Sequence, residues 1–443
     1  MKNNKKEMED LVATAVQGAK KRGAKGVRAS MGKSRDVSVV YRKGKPDRIT
    51  ESNSSGLAIN IYIDGKYSAS STNDLRPAAL EQFLDTVVAM AKAMKPDPYR
   101  VMPDPSLYKG RKDIDLKLYD PLITGVTPEF RNEYSAQIEA ATTKKGGDKV
   151  ISAEGGYDES EGESFLLYSN GFSGYTQRTS YWGWAQVTVR DKGDKKPSGW
   201  AEGGSRFKKG LRPAGDIAAE AVEHALARCD AGKLPTGDYT MIIENRTVGS
   251  FLSHLMGATS GRSLQQKRSF LEGMQGKEIG SSLLTIMDDP FIESGFGSRL
   301  FDGEGISAKK FPVFEKGVFR NFYIGTYYAK KLNMAPTTGD SSNLVIPPGD
   351  ESLAGLIKKV DKGILVRGFI GGNSNSTTGD FSFGIFGTYI EKGALGHAVA
   401  EMNVAGNHKE FWKKLVAIGN DPYMYSSVRV PSLVFEKVKF SGT

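Results

Sequence analysis

Met8, Leu11, Val12, Ala15, Val16 and Ala19 recur at spacings of three and four near the start of the chain, with charged residues between them. That stripe predicts an amphipathic helix. The period then falls to two: DVSVVYRKGKPDRI and GLAINIYIDGKYSASS alternate as strands, the second with Asp64-Gly65 at a turn suited to positive φ. Helical spacing returns with Leu80, Phe83, Leu84, Val87, Val88 and Ala91, behind a Pro77 that suits a first turn. Helix, strands and helix make an α+β unit.

Four prolines in MKPDPYRVMPDP (94–105) forbid a helix and read as an extended linker. Beyond it, Thr127-Pro128 is a suitable cap and first residue for a helix running to Gly146-Gly147. KVISAEGGYDES, ESFLLYSNGFSGYTQRTSYWGWAQVTVRD and GWAEGGSRF follow as strands, with Asn170-Gly171 at a hairpin turn, and a helix from Pro213 carries Ile217, Val222, Ala225 and Leu226. CDAGKLPTGDY (229–239) is a second, softer boundary. The predicted domains are therefore 1–95, 106–230 and 235–443.

The last of these is rich in glycine and short strands: YTMIIE, VFRNFYIGTYYA, GILVRGFIGG, FGTYIEKG and LVFEKVKF. Two stretches interrupt them with helical spacing, 246–260 and 408–418; in the second, Asn407 and Glu410 have capping-box spacing. The predicted class is α+β, with N-terminal α+β domains followed by a large, curved, mostly antiparallel β-sheet domain with a few helices.

Charge changes this picture little. The net charge is +10, but residues 1–50 hold 14 Lys and Arg against 5 Asp and Glu, a surplus of +9, so the remainder is nearly neutral. The segment reads as a solvated helix face and hairpin, or as a docking patch for an acidic partner. With only Tyr41 among its aromatics, it lacks the interleaved rings of a nucleic-acid reader, and no direct nucleic-acid binding is expected. No secretory signal follows MKNNKKEMED, and no stretch approaches the roughly 20 apolar residues of a membrane span. A cytoplasmic location with no membrane contact is expected.

Candidate chemistry is sparse. Cys229 is the one cysteine, and His224, His254, His397 and His408 are scattered, which argues against a structural zinc. On the 246–260 helix the apolar stripe is Val248, Phe251, Leu252, Leu255, Met256 and Thr259; His254 falls roughly 130° from its centre, beside the small residues Ser250, Gly257 and Gly261. A Ser253–His254 catalytic pair is disfavoured because helix neighbours point in different directions. The acidic pairs Asp288-Asp289 and Asp302 with Glu304 could serve acid/base chemistry or a hard cation, or merely build turns. GGNSNSTTGDFSFG (371–384), with Asn375 and Asp380, is a polar loop without a phosphate-loop lysine.

Together, SHLMGATSGRSLQQKRSFLEGMQGKEIGS, DDPFIESGFGSRLFDGEGI, GVFRNFYIGTYYAKKL, STTGDFSFGIFGTYIEKG and MNVAGNHKEFWKKLVAIGND resemble the TldD/TldE (PmbA) family of metallopeptidases and modulators of DNA gyrase. Weaker matches, SGLAINIYIDGKYSASST and LLYSNGFSGY, extend the resemblance over most of the chain. In TldD-type subunits an HExxxH helix and a C-terminal cysteine hold a catalytic zinc. Laid on that motif, Ser253 and Ala258 take the histidine slots and His254 the glutamate slot, while SSVRVPSLVFEKVKFSGT has no cysteine. The resemblance thus implies a TldE/PmbA-type subunit with no metal, cofactor or catalytic residue of its own. It implies a TldD-type zinc partner, or self-association as a homodimer, and a flexible peptide substrate. Candidate peptide or partner contacts are His254, Gly257, Asp302, Glu304, Asn375 and Asp380. Two rival expectations are a non-enzymatic modulator binding a protein such as DNA gyrase through Lys20, Lys21, Arg22 and Lys25, and an independent hydrolase using Asp302 and Glu304.

Overall fold

The computed structural model describes residues 5–442, so the first four residues of the basic N-terminus lie outside it. Helix α1 (Lys5–Lys21) leads into strands β1 (Gly26–Arg42), β2 (Lys45–Ile63) and β3 (Lys66–Thr72), and then helix α2 (Pro77–Ala93). Asp64 and Gly65 both take positive φ at the β2–β3 turn, as their residue types predict. After the proline-rich stretch come α3 (Pro128–Gly146), β4 (Val150–Tyr168), β5 (Phe172–Val189), β6 (Ser198–Ser205) and α4 (Ala214–Leu226). The Thr127 side chain accepts from Phe130 N and caps α3 as expected.

The two N-terminal segments share one antiparallel sheet, ordered β3-β2-β1-β4-β5-β6. Its seam is β1 against β4, in unbroken register from Arg28↔Tyr168 to Arg42↔Glu154. One face is covered by helices: α1 and α2 pack Met8, Val12 and Leu84 on Val27, Ala29 and Ile59, while α3 and α4 pack Ile138 and Ile217 on Tyr157, Tyr181 and Ala185. The buried Glu159 pins the seam, accepting from Arg35 of β1 (3.1 Å), Arg131 of α3 (2.6 Å) and Tyr157 Oη (2.7 Å). Three charge-assisted or hydroxyl donors satisfy a carboxylate that would otherwise be costly to bury.

The C-terminal part contains β7 (Gly237–Ile243), α5 (Asn245–Gly257), α6 (Gly261–Gln265), β8 (Ile286–Asp288), β9 (Phe311–Glu315), β10 (Val318–Phe319), α7 (Thr326–Leu332), β11 (Leu344–Val345) and α8 (Leu353–Lys358). It ends with β12 (Lys362–Ser374), β13 (Asp380–Glu391), β14 (Ala394–Asn407), α9 (His408–Phe411), β15 (Leu415–Ile418), β16 (Val428–Arg429) and β17 (Leu433–Ser441). The curvature expected of this sheet is carried to closure. Strands β14-β13-β12-β7-β17 follow one another, and β17 returns to pair with β14 at Val404↔Phe440, giving a small five-stranded barrel with β15 added outside the ring. All ring pairings are antiparallel except β7 with β12. A second small sheet has the order β10-β9-β8-β11-β16.

Three local expectations are corrected. The 246–260 helix stops at Gly257, and Ser260 caps the separate α6 by accepting from Ser263 N. VFRNFYIGTYYA is a strand only at Val318–Phe319; from Thr326 it is helix, because the Glu304 carboxylate accepts from Thr326 N at 2.7 Å and caps α7. The 408–418 helix is one turn long. Asn407 caps it by accepting from Lys409 N, but Glu410 pairs with Lys413 instead of reaching back, and Leu415–Ile418 leaves to pair with β17.

Glycine lets the helix layer sit close on the sheet. A Cβ on Gly155 would run into Glu139 N and Ser135 O of α3, whereas one on Gly257 would meet nothing within 4 Å. Gly155→Ala is therefore expected to cost about 1–3 kcal/mol of stability, seen as a lowered melting temperature, while Gly257→Ala leaves the melt unchanged or raised.

Candidate functional site

Helix α5 buries Val248, Phe251, Leu252 and Leu255, the stripe that its spacing predicts. Phe251 anchors it among rings of the barrel, of α9 and of the turn after α9: Phe381 at 5.3 Å, Phe411 at 5.2 Å and Trp412 at 5.5 Å between centroids. One turn on, the half-buried His254 lays its ring against Phe383 of β13, 4.7 Å between centroids, and burial holds its pKa below the ordinary value. The ring makes no hydrogen bond among the described residues. Its far-side position thus meets the barrel wall and not open solvent.

The three positions aligned with HExxxH point to three environments. Ser253 is exposed and donates to Ser250 O at 2.6 Å. His254 faces Phe383. Ala258 is wholly buried as the C-cap residue of α5. The set offers one hydroxyl already donating to its own helix, one imidazole and one methyl. Zinc in a hydrolytic site needs three protein donors converging on one point, and these residues do not fit it. Cys229 lies elsewhere, its thiol directed at Ala225 O of α4.

His408, which spacing alone did not single out, proves to be the more constrained histidine. It is fully buried, stacked 5.8 Å from Phe270 and tilted against Phe381 at 4.8 Å between centroids. Its Nδ1 accepts from Trp412 Nε1 at 3.2 Å, so the proton of the neutral ring is on Nε2, which is buried without a partner. Burial, with His254 as a second cause, lowers its pKa to about 3. His224 is likewise neutral, at about 3 by burial, with Nδ1 2.9 Å from Trp200 O.

The polar loop candidates stand near this end of the barrel. Asp380 accepts from Thr378 Oγ1 (2.6 Å) and Asn407 Nδ2 (2.8 Å), and Asn375 accepts from Thr377 N (2.9 Å). The loop is closed on itself and tied to the residue that caps α9. Asp302 and Glu304 belong to another group of contacts. The Asp302 carboxylate accepts from Glu304 N, Ile306 N, Thr338 Oγ1 and Gly339 N, which occupies both oxygens. Glu304 takes both the N–H and the hydroxyl of Thr326, and burial raises its pKa. These are turn and cap roles. Of the four basic residues offered as a docking patch, Arg22 is paired with Glu81 (2.6 Å) and Asp85 (2.7 Å) of α2, while Lys20, Lys21 and Lys25 are exposed.

The buried neutral His408 makes stability depend on acid. Its folded pKa lies below the ordinary 6.5, so the unfolded chain gains the proton first as pH falls. The stabilisation is complete above about pH 6.5 and drains away toward pH 3. His408→Gln, which keeps an acceptor for Trp412, is expected to be less stable at pH 7 but to lose about 1–2 kcal/mol less than the parent between pH 7 and pH 5. Identical pH slopes in chemical denaturation would contradict this.

Comparison with known proteins finds one family along most of the chain. Residues 27–91 match the PmbA/TldA metallopeptidase domain 1, residues 121–228 its central domain and residues 236–442 its C-terminal domain. The chain is 27% identical over 442 residues to the metalloprotease PmbA of Escherichia coli O157:H7, covering 99% of this chain and 97% of that protein. Its fold superposes with a TM-score of 0.96 on a Bacteroides thetaiotaomicron protein described as a candidate modulator of DNA gyrase, 39% identical over 99% of both chains. TldE of Thermococcus kodakarensis shares the fold with a TM-score of 0.86 at 21% identity, covering 98% of this chain and 100% of that one. With matched segments running from residue 27 to residue 442 and a 39%-identical relative of the same length, the chain belongs to the PmbA/TldD family of metallopeptidases.

Proposed function

We propose that this chain is the PmbA/TldE-type subunit of a two-subunit metallopeptidase, and that zinc and the hydrolytic step come from a TldD-type partner. The observation that carries the reading is the donor set on α5: Ser253, His254 and Ala258 hold the motif positions, and only one of them is a nitrogen ligand. The relatives named PmbA and TldE support it. In this reading the chain contributes shape and binding surface for a flexible peptide, with His254, exposed Gly257, Asn375 and Asp380 near one end of the barrel as its candidate contacts. Self-association as a homodimer is the alternative assembly. No helix among the described residues is long and apolar enough to cross a membrane.

A second reading is favoured by the description of the 39%-identical Bacteroides protein: a modulator that binds DNA gyrase. Here Lys20, Lys21 and Lys25 would form the contact, without Arg22.

Co-expression with a TldD-type subunit from the same genome separates the two. The expected outcome is a stable complex that cleaves an unfolded casein substrate, with cleavage abolished by a chelator or by replacing the partner's motif glutamate. The isolated chain is expected to cleave nothing. Chelator-sensitive cleavage by the isolated chain, or its failure to join any TldD-type subunit while retaining gyrase, would overturn the proposal.

A further inference from the structure

The sheet face opposite the helix layer carries the even-numbered residues of β5, and the C-terminal segment around Phe296–Asp302 lies across it. Trp182 stacks on Phe296 at 4.9 Å, and Phe172 meets Phe301 edge-on at 5.0 Å. Between these aromatic contacts stand two guanidinium groups, Arg178 of β5 and Arg299. Arg178 has no ion pair and no side-chain hydrogen bond among the described residues, and its Nε is buried without a partner. Arg299 is held by neutral oxygens only, Thr338 Oγ1 at 3.3 Å and Asp340 O. Burial and the charge of Arg299 both disfavour the charged form of Arg178. A third guanidinium, Arg206, is spent on the carbonyls of Thr179, Gly295 and Phe296.

Positive charges placed together in a part-buried site raise each other's free energy unless an anion joins them. The nearby acids do not. Asp302 is saturated by its four donors, and Glu163, whose neighbour Gly162 is the one paired with Arg178, points to the opposite face of the sheet, where it accepts from Tyr175 Oη at 2.7 Å and keeps its other oxygen buried without a partner. Arg178 and Arg299 instead line two adjoining cavities, one of about 460 Å³ that also meets Arg28, and one of about 520 Å³. Phe301 and Thr176 line both. The second cavity is walled by Ile114, Leu116 and Leu300 and runs along β5 ahead of Tyr181, where β6 begins to pair; of the β5 backbone there, Thr179 is held by Leu118 O and Arg206 and Ser173 O by Arg111.

We infer that Arg178 and Arg299 form a binding site for a carboxylate carried by an extended peptide, whose apolar residues lie in the cavity along β5. Two guanidinium forks match a carboxylate's two oxygens. An apolar trough along a strand suits a peptide better than a free ion. The carboxylate can be the peptide's C-terminus or an Asp or Glu side chain. This deepens the peptide-handling reading but needs no partner subunit, because the residues all belong to this chain.

The test uses the full isolated chain, immobilised, and a degenerate pool of N-acetylated octapeptides made in C-terminal acid and C-terminal amide forms. Retained peptides are identified by mass spectrometry. Enrichment of carboxylate-bearing peptides by about fivefold or more over the input is expected; enrichment of the acid form over the amide assigns the terminus, and enrichment of Asp and Glu in both forms assigns a side chain. The enrichment is expected to vanish in Arg178→Gln and in Arg178→Gln/Arg299→Gln, and to survive in part in Arg178→Lys. Because the Arg178 side chain makes no hydrogen bond, the single variant decides the matter even where the double variant melts early. Equal retention of acidic and neutral peptides, enrichment that persists in Arg178→Gln, or saturable binding of inorganic phosphate with no peptide preference would each overturn the inference. If no complex with a TldD-type subunit forms yet the enrichment holds, the partner reading fails and this site stands.

Discussion

Phe251 reaches from α5 into a nest of seven rings, those of Phe369, Phe381, Phe383, His408, Phe411, Trp412 and Phe435. They come from β12, β13, β17, α9 and the turn after it, so one side chain ties the helix to separate strands of the closed barrel. Aromatic pairs at these separations add to the burial of 150–250 Å² that each such ring contributes. The position of every candidate on α5 follows. With Phe251 fixed, His254 one turn later must lie on Phe383, Ser253 must face solvent and Ala258 must enter the core.

That seating separates fold from chemistry. A helix so anchored tolerates change on its outward face without loss of the barrel, since Ser253 is exposed and Gly257 borders open space. The family architecture can therefore be kept while the donor set changes. What the chain retains are features of a binding body: a closed barrel, a long continuous sheet, an apolar trough along β5 and the guanidinium of Arg178 without an acidic partner. The neutral buried His408, wedged between Phe270, Phe381 and Trp412, belongs to the barrel's interior and reads as packing.

Sequence patterns revealed the parts that short-range physics decides. The stripes of α1, α2 and α5, the caps at Thr127 and Asn407, and the Asp64-Gly65 turn depend on residues within a few positions of one another, and each was readable. The seam of β1 with β4 joins residues more than a hundred positions apart, and nothing in the alternation of either strand names its partner. Closure of the barrel by Val404 against Phe440 is of the same kind. Tertiary pairing also overrode local spacing at Leu415–Ile418, where β17 offered a strand partner, and a remote carboxylate, Glu304, turned an apparent strand at Thr326 into a helix. For the site, the motif positions were legible from the resemblance. The saturation of Asp302 by backbone donors, the burial of His408 and the unpaired Arg178 depend on three-dimensional neighbours that no spacing encodes.

The central claim is that α5 in this chain is not a metal site. Titration of zinc into the metal-stripped, isolated chain, followed by calorimetry, tests it most directly. The account predicts no saturable equimolar uptake, and no change on replacing His254 by alanine. An equimolar zinc site that disappears with His254→Ala would contradict it.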